Sequence, residues 1–158
     1  MKNQSGFTLV ELVIVLIIVG ILAVTAAPKF ISLKDDAAKA SLKGMKGAIE
    51  SALSMSYAKM AIEGKERSPS ASPDFCPDCE DFSYGYPVNA YADLPRLVEN
   101  MTQSVGGNDT DEWLVTPTFG GGLHSIFTKE LSDMGCWIGY TAPHNGTTTY
   151  TLEIFGCE

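Results

Sequence analysis

Basic side chains are scarce in the second half of this chain of 158 residues. Residues 68 to 158 carry two of them, Arg96 and Lys129, against thirteen carboxylates. A surface that acidic repels phosphate backbones, so a nucleic-acid interface there is excluded. Histidine is nearly missing too. His124 and His144 stand alone, at positions expected on the surface or at a sheet edge, and no serine sits in a nucleophile motif, so nothing points to an enzyme. Cysteine occurs four times and supplies a single C-x-x-C, Cys76-Pro77-Asp78-Cys79. The absence of a second pair at that spacing leaves half a zinc site at most. A redox dithiol would need a strand before it and a helix after it, and that context is also lacking.

Charge is absent in one further place, and there the absence is constructive. From Phe7 to Ala27 the 21 residues include one charged side chain, Glu11, and little besides aliphatics. At about 1.5 Å per residue a helix of that length reaches roughly 30 Å, the thickness of a bilayer's hydrocarbon core. A cleaved secretory signal would share Lys2 and the apolar run, with Thr25-Ala26-Ala27 as its cleavage site. The run is longer than such signals need, however, and it holds a carboxylate. A charge in lipid costs a few kcal/mol unless it finds a partner, so Glu11 calls for a cation or for a route to the headgroups.

The residues Gly6-Phe7-Thr8-Leu9-Val10-Glu11, directly ahead of a membrane-length apolar segment, resemble the signal of the type IV pilins and related pseudopilins. That resemblance implies processing before the apolar run. Residues 1–6 would be a leader removed by a prepilin peptidase between Gly6 and Phe7, and the new amine on Phe7 would be methylated. It also implies self-assembly into a helical homopolymer by the type IV pilus machinery, with the precursor in the inner membrane and the product an extracellular filament of a Gram-negative cell. Independent of family, cleavage there would leave a cation about one helical turn from Glu11. Opposite charges about 4 Å apart attract by several kcal/mol at an effective dielectric near 20. Glu11 is therefore the expected assembly residue, satisfied by a neighbouring subunit's N-terminus.

Beyond the span, Pro28 removes an N–H and crowds the preceding turn, so a kink or local melting is expected near Ala23 to Pro28, the compliant part of a filament. Residues 29–64 return to helical periodicity. Leu42, Met45, Ile49, Ala52, Leu53 and Met60 form one stripe, Lys39, Lys43, Lys46 and Glu50 lie opposite, and Gly64 is the expected stop. Pairs at i,i+4 are expected at Asp35–Lys39, Lys46–Glu50 and Lys59–Glu63. Residues 29 to 67 hold eight Lys or Arg against five carboxylates, a basic stalk for the acidic remainder, which suits contact between packed subunits.

Residues 65–111 read as a connecting region. Ser68 to Pro73 form a loop, Asp74 to Asp81 an acidic turn, Phe82 to Tyr86 a short strand and Ala90 to Met101 a second helix, with Asp93 and Pro95 near its start. Residues 112–158 read as strands over Glu112–Thr118, Leu123–Lys129, Cys136–Thr141 and Thr147–Phe155, with hairpin tips at Gly120-Gly121-Gly122 and Asn145-Gly146. The expected architecture is α+β: a long N-terminal helix, kinked near Pro28, packed on an antiparallel meander of about four strands. Gly85-Tyr86-Pro87, together with Ala23 to Phe30 and Asp35-Asp36-Ala37, further resembles the mannose-sensitive haemagglutinin group of pilins. That narrower likeness implies surface adhesion, with a host or surface glycan as a further partner. A minor pilin or a type II secretion pseudopilin is the alternative role.

A two-residue turn at Asn145-Gly146 sets Cys136 and Cys157 diagonally across a hairpin, and a longer or bulged turn brings them opposite. A bridge closing a loop of about 20 residues could stabilise by roughly 3 kcal/mol. Cys76 and Cys79 are then left for each other as a structural disulfide, with metal binding, redox chemistry and crossed connectivity as the competing readings. Two acidic clusters, Asp74, Asp78, Glu80 and Asp81, and Asn108, Asp109, Asp111 and Glu112, could hold a cation, but neither has the twelve-residue calcium pattern. They are expected to be solvated loops, with no metal and no cofactor.

Overall fold

The computed structural model describes residues 7–104, 113–117 and 123–157. It divides into two compact units, Met1–Ala38 and Lys39–Glu158. The first helix, α1, spans Leu9–Ile62. It continues through Pro28 without a break, so the melting expected there is not found. Its end follows from one residue. Gly64 takes φ +70, Lys65 N–H donates to Met60 O (2.8 Å) and Gly64 N–H to Ala61 O (3.1 Å), the paired bonds of a Schellman cap.

In the second unit α1 buries one stripe, Leu42, Met45, Ile49, Leu53, Ser56 and Met60, at three- and four-residue steps. Ser56 replaces Ala52 in the expected stripe, and Met55 lies outside it, 58% exposed. The sheet that shares this core has five strands, each hydrogen-bonded to the next in chain order. Strands β4 (Trp113–Pro117), β5 (Leu123–Phe127), β6 (Trp137–Thr141) and β7 (Thr151–Phe155) form the expected antiparallel meander. Val115, Ile126, Ile138 and Ile154 stand opposite one another across four strands, and His124 and Tyr140 face each other two residues along, so all six share a face. A fifth strand, β3 (Met101–Gln103), was not expected. It pairs parallel with β4, Met101 beside Trp113.

The remaining differences have local causes. A two-residue hairpin, β1 (Phe82–Ser83) and β2 (Tyr86–Pro87), takes the place of one short strand. Helix α2 (Ala90–Leu97) starts after Asn89, places Asp93 and Pro95 inside it rather than at its cap, and ends early because Val98 is extended and Asn100 is left-handed (φ 59). The expected strand through Lys129 stops at Phe127. There the Thr128 hydroxyl accepts Leu131 N–H (3.1 Å) and starts α3 (Lys129–Asp133), which seats Leu131 in the core.

Asn145 and Gly146 do turn with positive φ, 49 and 86, and Thr147 N–H donates to His144 O (3.0 Å). They do not close a two-residue hairpin, because pairing ends at Thr141↔Thr151. Buried Pro143, with no N–H to offer the ladder, stands between strand and turn. The Gly120-Gly121-Gly122 tip lies outside the described residues.

Candidate functional site

The start of α1 carries the residues singled out for assembly. Thr8 sits just before the first helical residue, and Glu11 three positions on. Thr8 N–H donates to Glu11 Oε2 at 2.9 Å and the Thr8 hydroxyl donates to the same oxygen at 2.7 Å. In return, Glu11 N–H donates to Thr8 Oγ1 at 3.3 Å. This reciprocal pattern is a capping box, which satisfies donors that a helix start otherwise leaves bare. Among the described residues the partner of Glu11 is therefore Thr8 and not a cation. Thr8 was missed as a site residue, although Thr-x-x-Glu ahead of an apolar run is the sequence signature of that cap.

Downstream of the cap, Leu9–Ala27 is long and apolar enough to cross a membrane, and none of it is buried. Phe7 is 82% exposed, and Leu12, Ile14, Leu16, Ile18 and Leu22 are each more than half exposed, on every side of the helix. A helix apolar all round and left exposed among the described residues needs lipid or other helices around it. Gly6, the expected cleavage residue, lies outside the described residues. Phe7 stands at their edge, one residue before the cap.

Both cysteine pairs are bonded, Cys76 to Cys79 and Cys136 to Cys157, with Cα separations of 5.3 and 5.0 Å. The first closes a single turn in which Cys79 N–H donates to Cys76 O (3.0 Å). The second joins the entry of β6 to the residues just after β7. Gly156 makes this possible: it has φ +74, and a side chain there would collide with Gly135 O.

The acidic cluster around the first bridge is dispersed among partners. Lys65 Nζ binds Asp74 at 2.7 Å, Asp81 accepts the hydroxyls of Ser70 and Ser72, and Glu80 accepts Asn89 Nδ2. Among the described residues no three His, Cys, Asp or Glu side chains are placed to hold a metal. The second cluster, Asn108 to Glu112, lies outside them. Glu63, expected to pair with Lys59, instead accepts the N–H groups of Asp74 and Phe75 and meets Lys65 at 3.2 Å, while Lys59 rides 4.9 Å over the Phe75 ring. The helix end thus fastens the acidic loop. Lys46–Glu50 forms as expected, at 3.2 Å.

Two buried titratable groups were not anticipated. Asp93 is fully buried. Its Oδ1 accepts Glu80 N–H (2.9 Å) and lies 3.8 Å from Arg96, while Oδ2 has no partner among the described residues. Burial pushes its carboxyl from 3.8 up to about 6, against the pull of that hydrogen bond. His124, expected near the surface, is buried opposite Tyr140, and burial lowers its pKa. The Tyr140 hydroxyl, also buried, donates to Pro87 O at 2.7 Å and ties β6 to the small hairpin.

Residues 1–27 match the family model described as the prokaryotic N-terminal methylation motif. The chain is 43% identical over 63 residues to the major component of the type IV narrow pilus of Thermus thermophilus, covering 40% of this chain and 51% of that protein. It is 41% identical over 73 residues to a fimbrial protein of Pseudomonas aeruginosa, covering 46% and 45%. Over 54 residues it is 44% identical to core protein G of the type II secretion system of the same species, covering 34% and 38%. The chain thus spans about half the length, or less, of the curated relatives it matches. No solved structure matches.

Proposed function

We propose, from the type IV pilin family to which its N-terminal methylation motif and relatives point, that this chain is a structural filament subunit and not an enzyme. The observation that carries the reading is the conjunction at one end of the chain: a methylation motif, a capped helix start, and a 19-residue apolar span of which none is buried among the described residues.

The mechanism follows from solvent preference. The helix first dissolves in the inner membrane, anchored by its apolar surface. Cleavage between Gly6 and Phe7 by a prepilin peptidase, with methylation of the Phe7 amine, leaves a cation beside Glu11. Because the capping bonds use Oε2, the carboxylate keeps lone pairs for a second partner, and the N-terminus of a neighbouring subunit can supply the charge. The assembly machinery then exchanges lipid for sister helices, which bury the same apolar area in the core of a homopolymer. Pro28, one hydrogen bond short, gives that rod a place to yield.

The finer assignment is to a mannose-sensitive haemagglutinin type pilus at the cell surface, serving attachment, with a host or surface glycan as its target. Gly85-Tyr86-Pro87 and the segment from Ala23 to Phe30 support it. A second reading, a pseudopilin or minor pilin, is favoured by the similarity to the secretion core protein. Electron microscopy of fibres sheared from the cell surface, with peptide identification, separates the two. Abundant fibres composed chiefly of this chain fit the major-pilin reading, and its absence from surface fibres contradicts it. Gly6→Leu should leave the precursor at full length on a gel and the surface bare.

A further inference from the structure

Pairing between β6 and β7 stops at Thr141↔Thr151, which leaves residues 142 to 150 outside the ladder. At the tip of that loop Asn145 and Gly146 are both exposed, with φ 49 and 86. Three hydrogen bonds brace the turn, and all of them join His144 to Thr147. Thr147 N–H donates to His144 O (3.0 Å), the Thr147 hydroxyl donates to the same oxygen (2.8 Å), and His144 N–H donates to Thr147 Oγ1 (3.0 Å). They bypass the two residues between. Among the described residues the Asn145 side chain and the Gly146 N–H have no hydrogen-bond partner, and nothing lies within 4 Å of where a Gly146 Cβ would sit.

The other described asparagines lack this combination. Asn100 matches it in exposure and in backbone, with φ 59, but the residue after it is Met101, buried and paired beside Trp113 in β3. Asn89 is half-buried, its amide nitrogen donates to Glu80 Oε2 (2.9 Å), and the fully buried Ala90 follows it.

We propose that Asn145 is a self-modification site, at which the chain converts its own side-chain amide to a carboxylate without an enzyme. The Gly146 nitrogen loses its proton and attacks Asn145 Cγ. The Cγ–Nδ2 bond breaks and ammonia leaves with that proton, closing a cyclic imide. Water then opens the imide at either carbonyl, to give aspartate or an isoaspartate whose main chain is longer by a methylene. The balance is a water in and an ammonia out, with no oxidant and no cofactor. Glycine serves the step twice. Its nitrogen has no side chain beside it, and the main chain on either side can rotate to bring Cγ over that nitrogen. The rotation leaves the turn but breaks no strand hydrogen bond, since the ladder has already ended. Either product adds a negative charge to the acidic half of the chain, and isoaspartate lengthens the loop between β6 and β7. Each chain thus carries a one-way record of its age, whether or not it sits in a filament.

The test is a time course on the full chain in detergent micelles at physiological temperature. After reduction, trypsin cuts behind Lys129 and releases Glu130 to Glu158 as one peptide. Tandem mass spectrometry locates the amide-to-acid exchange, and isoaspartyl methyltransferase reports the isoaspartate. Asn145 should convert within about tenfold of its rate in a free peptide of residues 141 to 151, because opening a loop tip costs little. The rate should rise several-fold from about pH 7 to about pH 8, since the attacking nitrogen must lose its proton. Asn145→Gly, which suits the turn, should show no exchange in the Glu130 to Glu158 peptide. Gly146→Asp, which also tolerates the left-handed region, should slow exchange about tenfold or more. Asn89 and Asn100 should keep their amides over the same period. No exchange at Asn145 while the free peptide converts, exchange at Asn100 as fast as at Asn145, or an unchanged rate in Gly146→Asp overturns the proposal.

Discussion

The proposed reading gives Glu11 two jobs, and a pair of substitutions separates them. Within the chain it caps its own helix through Thr8, at 2.9 and 2.7 Å. Between chains, on the proposed reading, it would offer a negative charge to the amine that cleavage exposes. Glu11→Gln keeps a carbonyl oxygen at the third helical position, where glutamine serves a capping box as glutamate does, but it removes the charge. Glu11→Val removes both. A lost cap costs about 1 kcal/mol, roughly a fivefold change in an equilibrium. A unit charge pair at about 4 Å in a medium of effective dielectric near 20 is worth about 4 kcal/mol, nearly a thousandfold. Charge therefore outweighs cap. Each allele would replace the wild type at its own locus, with processed subunit in the membrane and sheared filament both quantified by immunoblot. Processing should be near normal in both variants, filament nearly absent in both, and Gln within several-fold of Val. Filament yield close to wild type from Glu11→Gln would assign the residue to capping and refute the charge argument.

Three further outcomes follow from the second unit. The folded chain holds a proton on Asp93 between about pH 4 and pH 6 that the unfolded chain has released, so its charge penalty is full above pH 6 and gone below pH 4. Asp93→Asn should therefore be more stable than wild type by about 1 to 3 kcal/mol at neutral pH and equal to it near pH 4. Urea unfolding in detergent checks this, and a variant that is weaker at both pH values contradicts it. Replacing Cys136 and Cys157 together by Ala should cost roughly 3 kcal/mol, while the same change at Cys76 and Cys79, which close a single turn, should cost less. Equal losses would show that the loop-length argument fails. Gly85→Ala forces a side chain into the left-handed region and against Tyr57, so a loss of more than about 1 kcal/mol is expected, and a neutral result would mean that the hairpin can move.

Elements whose signals were local and redundant were legible from the residues. The stripe Leu42 to Met60 and the stop at Gly64 each rest on several agreeing residues, and four meander strands follow from β-branched runs between turn residues. What escaped reading depended on contacts made far along the chain. β3 exists because Met101 to Gln103 find the edge of β4, and three residues carry no periodicity. His124 looked like an edge residue because its burial comes from neighbouring strands. Asp93 looked like a cap because aspartate usually is one, yet its partner is the backbone of Glu80, thirteen residues earlier. The hairpin at Asn145-Gly146 had the right turn but too short a loop, because buried Pro143 cannot extend the ladder. At the candidate assembly site Glu11 was read for its charge, which drew attention away from the cap that Thr8 makes with it.

The most direct measurement is the mass of the N-terminal peptide from subunits collected in sheared surface filaments. It should begin at Phe7, carry one methyl group on its amine, and retain the apolar residues through Ala27. A mature chain beginning downstream of Ala27 would lack the helix on which membrane insertion, charge pairing and polymerisation all depend, and would contradict the filament-subunit reading outright.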